Sequence, residues 1–167
     1  GHRDVRWIDF QPPTYALEDE RSAQIVAGNL NATAPPATLP VTGYAAQLTN
    51  LGIDGTGVVI AINDTGVDTN TTAAVQADLA GRIAFGAATP GIGDTDGHGT
   101  HVAGIAAGNG GTADNDPGGF RLGQGMAPGA RVGVLLNPSF VSIAAFSQTA
   151  VQNGSQIMNC SWGVNAA

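Results

Sequence analysis

From Val41 onward the apolar positions fall into two alternating kinds of run. Val58-Val59-Ile60-Ala61-Ile62 is continuous, rich in β-branched residues, and bounded by Gly57 and by Asn63-Asp64. That is the pattern of a short strand buried on both faces of a sheet. Arg131–Leu136 and Gln156–Cys160 repeat it. Between these runs, His98–Gly108 and Ser142–Asn153 have helical length with stripes of small or apolar residues, and the second closes at Asn153-Gly154 as a carboxyl cap does. The order strand, helix, strand, helix, strand predicts an α/β domain with a mostly parallel sheet, whose ligands gather beyond the carboxyl ends of the strands. Asp64 stands at one such end. The glycine-rich stretch Asn109–Gly123, with Asp114 and Asp116, reads as a long loop of the kind that carries function or mobility.

Residues 1–40 follow another pattern. Five of the nine prolines lie there, in Gln11-Pro12-Pro13, Ala34-Pro35-Pro36 and Pro40, so this stretch reads as an extended amino-terminal arm. A helix is predicted within it over Asp19–Leu30, where Ala23, Val26, Ala27 and Leu30 share one face. The folded domain is accordingly placed at residues 41–167.

Composition removes several function classes. The chain has 25 glycines in 167 residues and only 11% charged residues, against an ordinary level of about 25%. Six basic residues, all arginine, face thirteen acidic ones for a net charge of −7, which is the wrong sign for a nucleic-acid surface. The longest apolar runs are far short of the roughly 20 residues of a membrane span. A single cysteine, Cys160, leaves no internal disulfide and no multi-cysteine zinc site, and in its apolar strand it reads as a buried filler.

The chemistry concentrates at two places. Asp64 ends a buried strand and is followed by Thr65-Gly66, so its carboxylate is held by a rigid element and is suited to orienting a histidine. Thirty-four residues on, Asp96-Gly97-His98-Gly99-Thr100-His101 sets His98 at a helix start between glycines that admit close neighbours, as a general base requires. The same segment admits a metal reading, in which Asp94, Asp96, His98 and His101 supply oxygen and imidazole ligands to zinc or manganese in a metal-dependent hydrolase.

Asp64-Thr65-Gly66 and His98-Gly99-Thr100-His101-Val102-Ala103-Gly104 resemble the aspartate and histidine signatures of the subtilisin-like serine peptidases, the subtilases. Gly125-Met126-Ala127-Pro128 and Asn159-Cys160-Ser161-Trp162-Gly163 resemble, in the same order, that family's turn before the third strand and its substrate-binding strand. The resemblance implies the amino-terminal half of a subtilase catalytic domain, with a three-layer α/β subtilisin-like fold that is incomplete in this chain. It implies a serine endopeptidase with an Asp-His-Ser triad: Asp64 orients, His98 shuttles the proton, and Ser161, Trp162 and Gly163 line the substrate groove. His101 takes the place of the family's second, structural histidine.

None of the chain's serines stands in the family's glycine-threonine-serine block. The nucleophile and the oxyanion-hole asparagine are therefore expected downstream, and the chain by itself is expected to be inactive. The expected partners are a polypeptide substrate and the carboxy-terminal remainder of the same protease. No cofactor is required. Calcium, which subtilases often bind, has oxygens available in Asp94-Thr95-Asp96-Gly97 and in Asp114-Asn115-Asp116, but neither segment matches a full ligand loop. Trp7-Ile8-Asp9 and Asp19-Glu20-Arg21 are similar to the junction of propeptide and mature enzyme in the larger alkaline subtilases, and the family places the protein outside the cytoplasm. The alternative is a non-catalytic peptide-binding module that keeps the groove and has no serine. A triad requires an Asp64 oxygen within about 2.6–3.2 Å of a His98 ring nitrogen, with the other nitrogen facing solvent.

Overall fold

The computed structural model describes residues 19–30, 40–72, 74, 76–86, 93–137 and 143–162. The elements run α1 (Asp19–Val26), α2 (Tyr44–Leu51), β1 (Val59–Asp64), a 3-10 turn at Ala77–Leu79, β2 (Ile83–Phe85), α3 (His98–Ala107), β3 (Arg131–Leu136), α4 (Ile143–Gln152) and β4 (Ile157–Asn159). The four strands form one sheet in the order β2-β3-β1-β4, and every pairing is parallel. β1 is central. It pairs along its whole length with β3, from Val59 opposite Arg131 to Asp64 opposite Leu136, and its other edge pairs with β4 from Ile60 opposite Ile157 to Ile62 opposite Asn159.

The continuous apolar run in β1 follows from this position, because alternate side chains of a strand face opposite layers and both layers here are covered. Ile60 and Ile62 join Val132, Val134, Leu79, Ile83, Ala103 and Ala107 in the core under α3. Ala61 joins Leu135 and Ala150 on the other face, with Phe85, Phe146 and Met158 packed around them under α4. Helix, sheet and helix thus make three layers, as expected from the sequence. Gly133 in mid-strand has a steric reason: a Cβ there would strike the Phe85 ring.

The arm helix ends four residues earlier than its periodicity predicts. Gly28 adopts φ 69° and the Asn29 N–H reaches back to the Gln24 carbonyl at 2.9 Å, a glycine-closed carboxyl cap that turns Leu30 away into a bridge with Pro40. α1 packs on α2 through Ala23, Tyr44 and Leu48, with Met126 beside them. Gly43, at the start of α2, offers no side-chain cap. Buried Glu20 supplies it from α1, accepting the Gly43 and Tyr44 N–H groups at 2.5 and 2.7 Å, and its other oxygen accepts the Arg121 N–H. Arg21 adds a 2.6 Å ion pair to Asp116 and lies over the Phe120 ring at 4.5 Å. The stretch 109–123 carries neither helix nor strand apart from two isolated bridges, Asn109 to Gln124 and Asn115 to Arg121. Among the described residues, no helix is long and apolar enough to cross a membrane.

Candidate active site

β1 delivers Asp64 to the carboxyl edge of the sheet with no solvent exposure, and α3 begins at His98 directly above it. The approach depends on Gly99, because a side chain there would collide with the Gly66 carbonyl and stand 3.0 Å from Asp64 Cβ. Beneath it the turn after β1 is shaped by Asn70, whose buried side chain accepts the Val67 N–H at 2.7 Å. The result is a contact of 2.7 Å between His98 Nδ1 and Asp64 Oδ1. Asp64 Oδ1 also accepts the Thr65 N–H at 2.7 Å, while Oδ2 is buried without a hydrogen-bond partner among the described residues.

The His98 side chain is 47% exposed, so one edge of its ring is bound and the rest faces outward. The hydrogen bond that His98 donates to Asp64, then the negative charge of Asp64, raises the His98 pKa above the ordinary imidazole value. Desolvation opposes this weakly, and Asp96 and Asp94 add to it from a distance. An imidazole that keeps its Nδ1 proton on a buried carboxylate presents Nε2 as a base.

Asp94 lies at the approach to α3 with both oxygens occupied. Oδ1 accepts Thr65 Oγ1, Gly97 N–H and Asp96 N–H, and Oδ2 accepts the Thr100 N–H and Oγ1. Burial pushes its carboxyl up, but the hydrogen bonds from Thr100, Gly97 and Thr65 outweigh this and hold it below the usual range. Asp116 is likewise taken, by the Gly118 and Phe120 N–H groups and by Arg21. Of the residues Asp94, Asp96, His98 and His101, His98 turns to Asp64 and Asp94 to backbone and threonine donors, and among the described residues no three His, Cys, Asp or Glu side chains group to hold an ion. His101 is exposed and lines a cavity of about 430 Å³ with Asp78, Leu79, Ile105 and Leu122, away from Asp64. It is not packed as the resemblance implies.

The segment after β4 returns to the same end of β1. Trp162 Nε1 donates to the Asn63 carbonyl at 2.8 Å, and Asn63 Nδ2 is 3.5 Å from Cys160 Sγ. Cys160 is half-buried. Ser161 is exposed, with its hydroxyl on Asn159 Oδ1 at 2.8 Å. Gly163 lies outside the described residues. Sequence reasoning treated Asp94 only as a metal or calcium ligand. Its spacing of three to Gly97 and six to Thr100, ahead of a helix whose first N–H groups need acceptors, was the available signal.

The model of the subtilase family (peptidase S8) matches residues 55–166. An alkaline protease of Alkalihalobacillus alcalophilus is 30% identical over 166 residues, covering 96% of this chain and 39% of that protein. A calcium-dependent protease of a Nostoc species is 35% identical over 123 residues, 66% of this chain and 16% of that one. Subtilisin Savinase of Lederbergia lenta is 33% identical over 120 residues, 68% and 40% respectively. Among solved structures, MycP1 with its N-terminal propeptide removed aligns at a TM-score of 0.41 and 26% identity, over 69% of this chain and 34% of that one. The chain spans less than half the length of these relatives.

Proposed function

The chain belongs to the subtilase family, and on that premise we propose that it is the amino-terminal half of a serine endopeptidase domain whose Asp-His-Ser triad begins with Asp64 and His98. The observation that carries this reading is the 2.7 Å contact between Asp64 Oδ1 and His98 Nδ1, inside the matched segment and at the open end of the sheet. Asp64 holds the tautomer with the proton on Nδ1. His98 Nε2 then takes the proton of a serine hydroxyl as its oxygen bonds to the peptide carbonyl carbon. The imidazolium so formed is stabilised by the buried carboxylate and gives the proton to the departing amine as the C–N bond breaks. Water repeats the sequence on the acyl-enzyme.

The serine comes from downstream of this chain in this proposal, since Ser161 is committed to Asn159 and its segment serves the substrate. An extended polypeptide pairs its backbone along residues 159–163, with Trp162 as an apolar wall and Gly163 leaving room for a side chain. The chemistry needs no cofactor. The protease acts outside the cytoplasm.

A fluorophosphonate that labels activated serines tests the proposal. The 167-residue chain and a longer protein carrying the downstream region are treated in parallel. Labelling of the longer protein alone, lost on His98→Ala, is the expected outcome. Labelling of Ser161 in the short chain overturns the assignment of the nucleophile, and absence of labelling in both favours the non-catalytic peptide-binding module.

A further inference from the structure

We infer that Asp94 is a positioning residue, which locks the Asp64 turn to the His98 helix through two crossed threonine relays; this rests on reading Asp64 and His98 as a catalytic pair. The geometry is symmetrical. Thr65, next to Asp64, donates its hydroxyl to Asp94 Oδ1 at 3.1 Å and accepts the N–H of Gly99, next to His98, at 3.0 Å. Thr100, on the helix, donates its hydroxyl to Asp94 Oδ2 at 2.6 Å and accepts the N–H of Asp68, in the Asp64 turn, at 2.9 Å. Each hydroxyl receives an N–H from the opposite segment and gives its own proton to Asp94, where both relays meet. A third link is direct, from the Asp94 N–H to the Asp68 carbonyl at 2.7 Å.

The chemistry explains the residue types. A threonine hydroxyl donates and accepts at one oxygen, and only an ionised carboxylate offers acceptors on both oxygens without a donor of its own. Asparagine cannot substitute. Whichever way its amide is turned, an NH₂ group faces a backbone N–H, that of Gly97 on one side or of Thr100 on the other. The hydrogen-bond partner of the His98 ring is Asp64, not Asp94 or either threonine, so the threonines act on it through the separation of the two segments. The charged groups that reach His98 are Asp64 from β1 and Asp96 and Asp94 from the approach to α3.

The test separates position from charge. Thr65→Val and Thr100→Val, singly and together, cut the relays while keeping volume and every charge. In the full 167-residue chain, NMR follows the His98 Nδ1 proton and the titration of its ring, with Asp64→Asn as the control. Both valine variants, and Asp94→Asn, are expected to lose the Nδ1 proton signal and to lower the His98 pKa while amide signals of the β1 and β3 core stay in place. In the longer protein the same variants are expected to lower kcat by about 10²-fold, the scale of a roughly 1 Å misplacement, with KM nearly unchanged. An unchanged His98 signal and pKa in Thr65→Val and Thr100→Val overturns the inference even where the double variant fails to fold, because each single change cuts one relay. If Asp64→Asn leaves His98 unchanged, the pairing itself falls, and the inference with it.

Discussion

Two glycine-to-alanine changes in α3, five residues apart, should move stability in opposite directions. Alanine is a better helix residue than glycine by about 1 kcal/mol, and neither Gly99 nor Gly104 has a positive φ, so propensity alone favours both. At Gly104 a new Cβ meets nothing within 4 Å, so Gly104→Ala should stabilise the chain by about 0.5–1 kcal/mol. At Gly99 the new Cβ lies inside the Gly66 carbonyl and 3.0 Å from Asp64 Cβ. Both are backbone-fixed, and the segments must part by more than about 1 Å before an ordinary C···O distance of roughly 3.3 Å is restored. Overpacking of this kind costs about 1–3 kcal/mol, against a helix gain of up to about 1 kcal/mol. Gly99→Ala should therefore lower stability by up to about 2 kcal/mol, and at about 2–4 °C per kcal/mol for a domain of this size the two melting temperatures should separate by several degrees. Urea melts at constant m value read the same difference. Equal signs for the two variants would refute the claim that Gly99 is dictated by contact between α3 and the Asp64 turn.

Two further outcomes follow from the structure. The raised His98 pKa means that the folded chain binds this proton more tightly than the unfolded one, so its contribution is complete below the unfolded value of about 6.5 and fades as pH rises through the folded value. Urea midpoints taken as pH rises from about 5 to about 8 should show that decline in the native chain and lose it in Asp64→Asn; parallel profiles would contradict the pairing. Glu20→Ala strips acceptors from the N–H groups of Gly43, Tyr44 and Arg121; only that of Tyr44 is buried, and at about 1–3 kcal/mol for an unsatisfied buried group the loss should be about 1–3 kcal/mol. Trypsin cleavage after Arg121 should accelerate in the same variant, and a loop cut no faster than in the native chain would show that α1 does not hold it.

What the sequence determined by itself was whatever burial writes locally. β1 is apolar from Val59 to Ile62 because it lies between two strands and two layers, and that run, with the helices between the strands, announced a mostly parallel α/β sheet with Asp64 at its edge, while the three layers were what the family resemblance implied. The pairing of Asp64 with His98 was legible for the same reason, since each stands at the end of an element whose period is plain and both lie in recognisable signatures. The tertiary structure decided the polar partners. Glu20 caps a helix 24 residues away and holds a loop 101 residues away, Trp162 binds a carbonyl 99 residues back, and Asp94 ties two segments through hydroxyls and amides. Periodicity records which face is buried. A hydrogen bond to the backbone leaves no such record, because every residue except proline carries the same N–H and every residue the same carbonyl, and only their arrangement in space selects the partner.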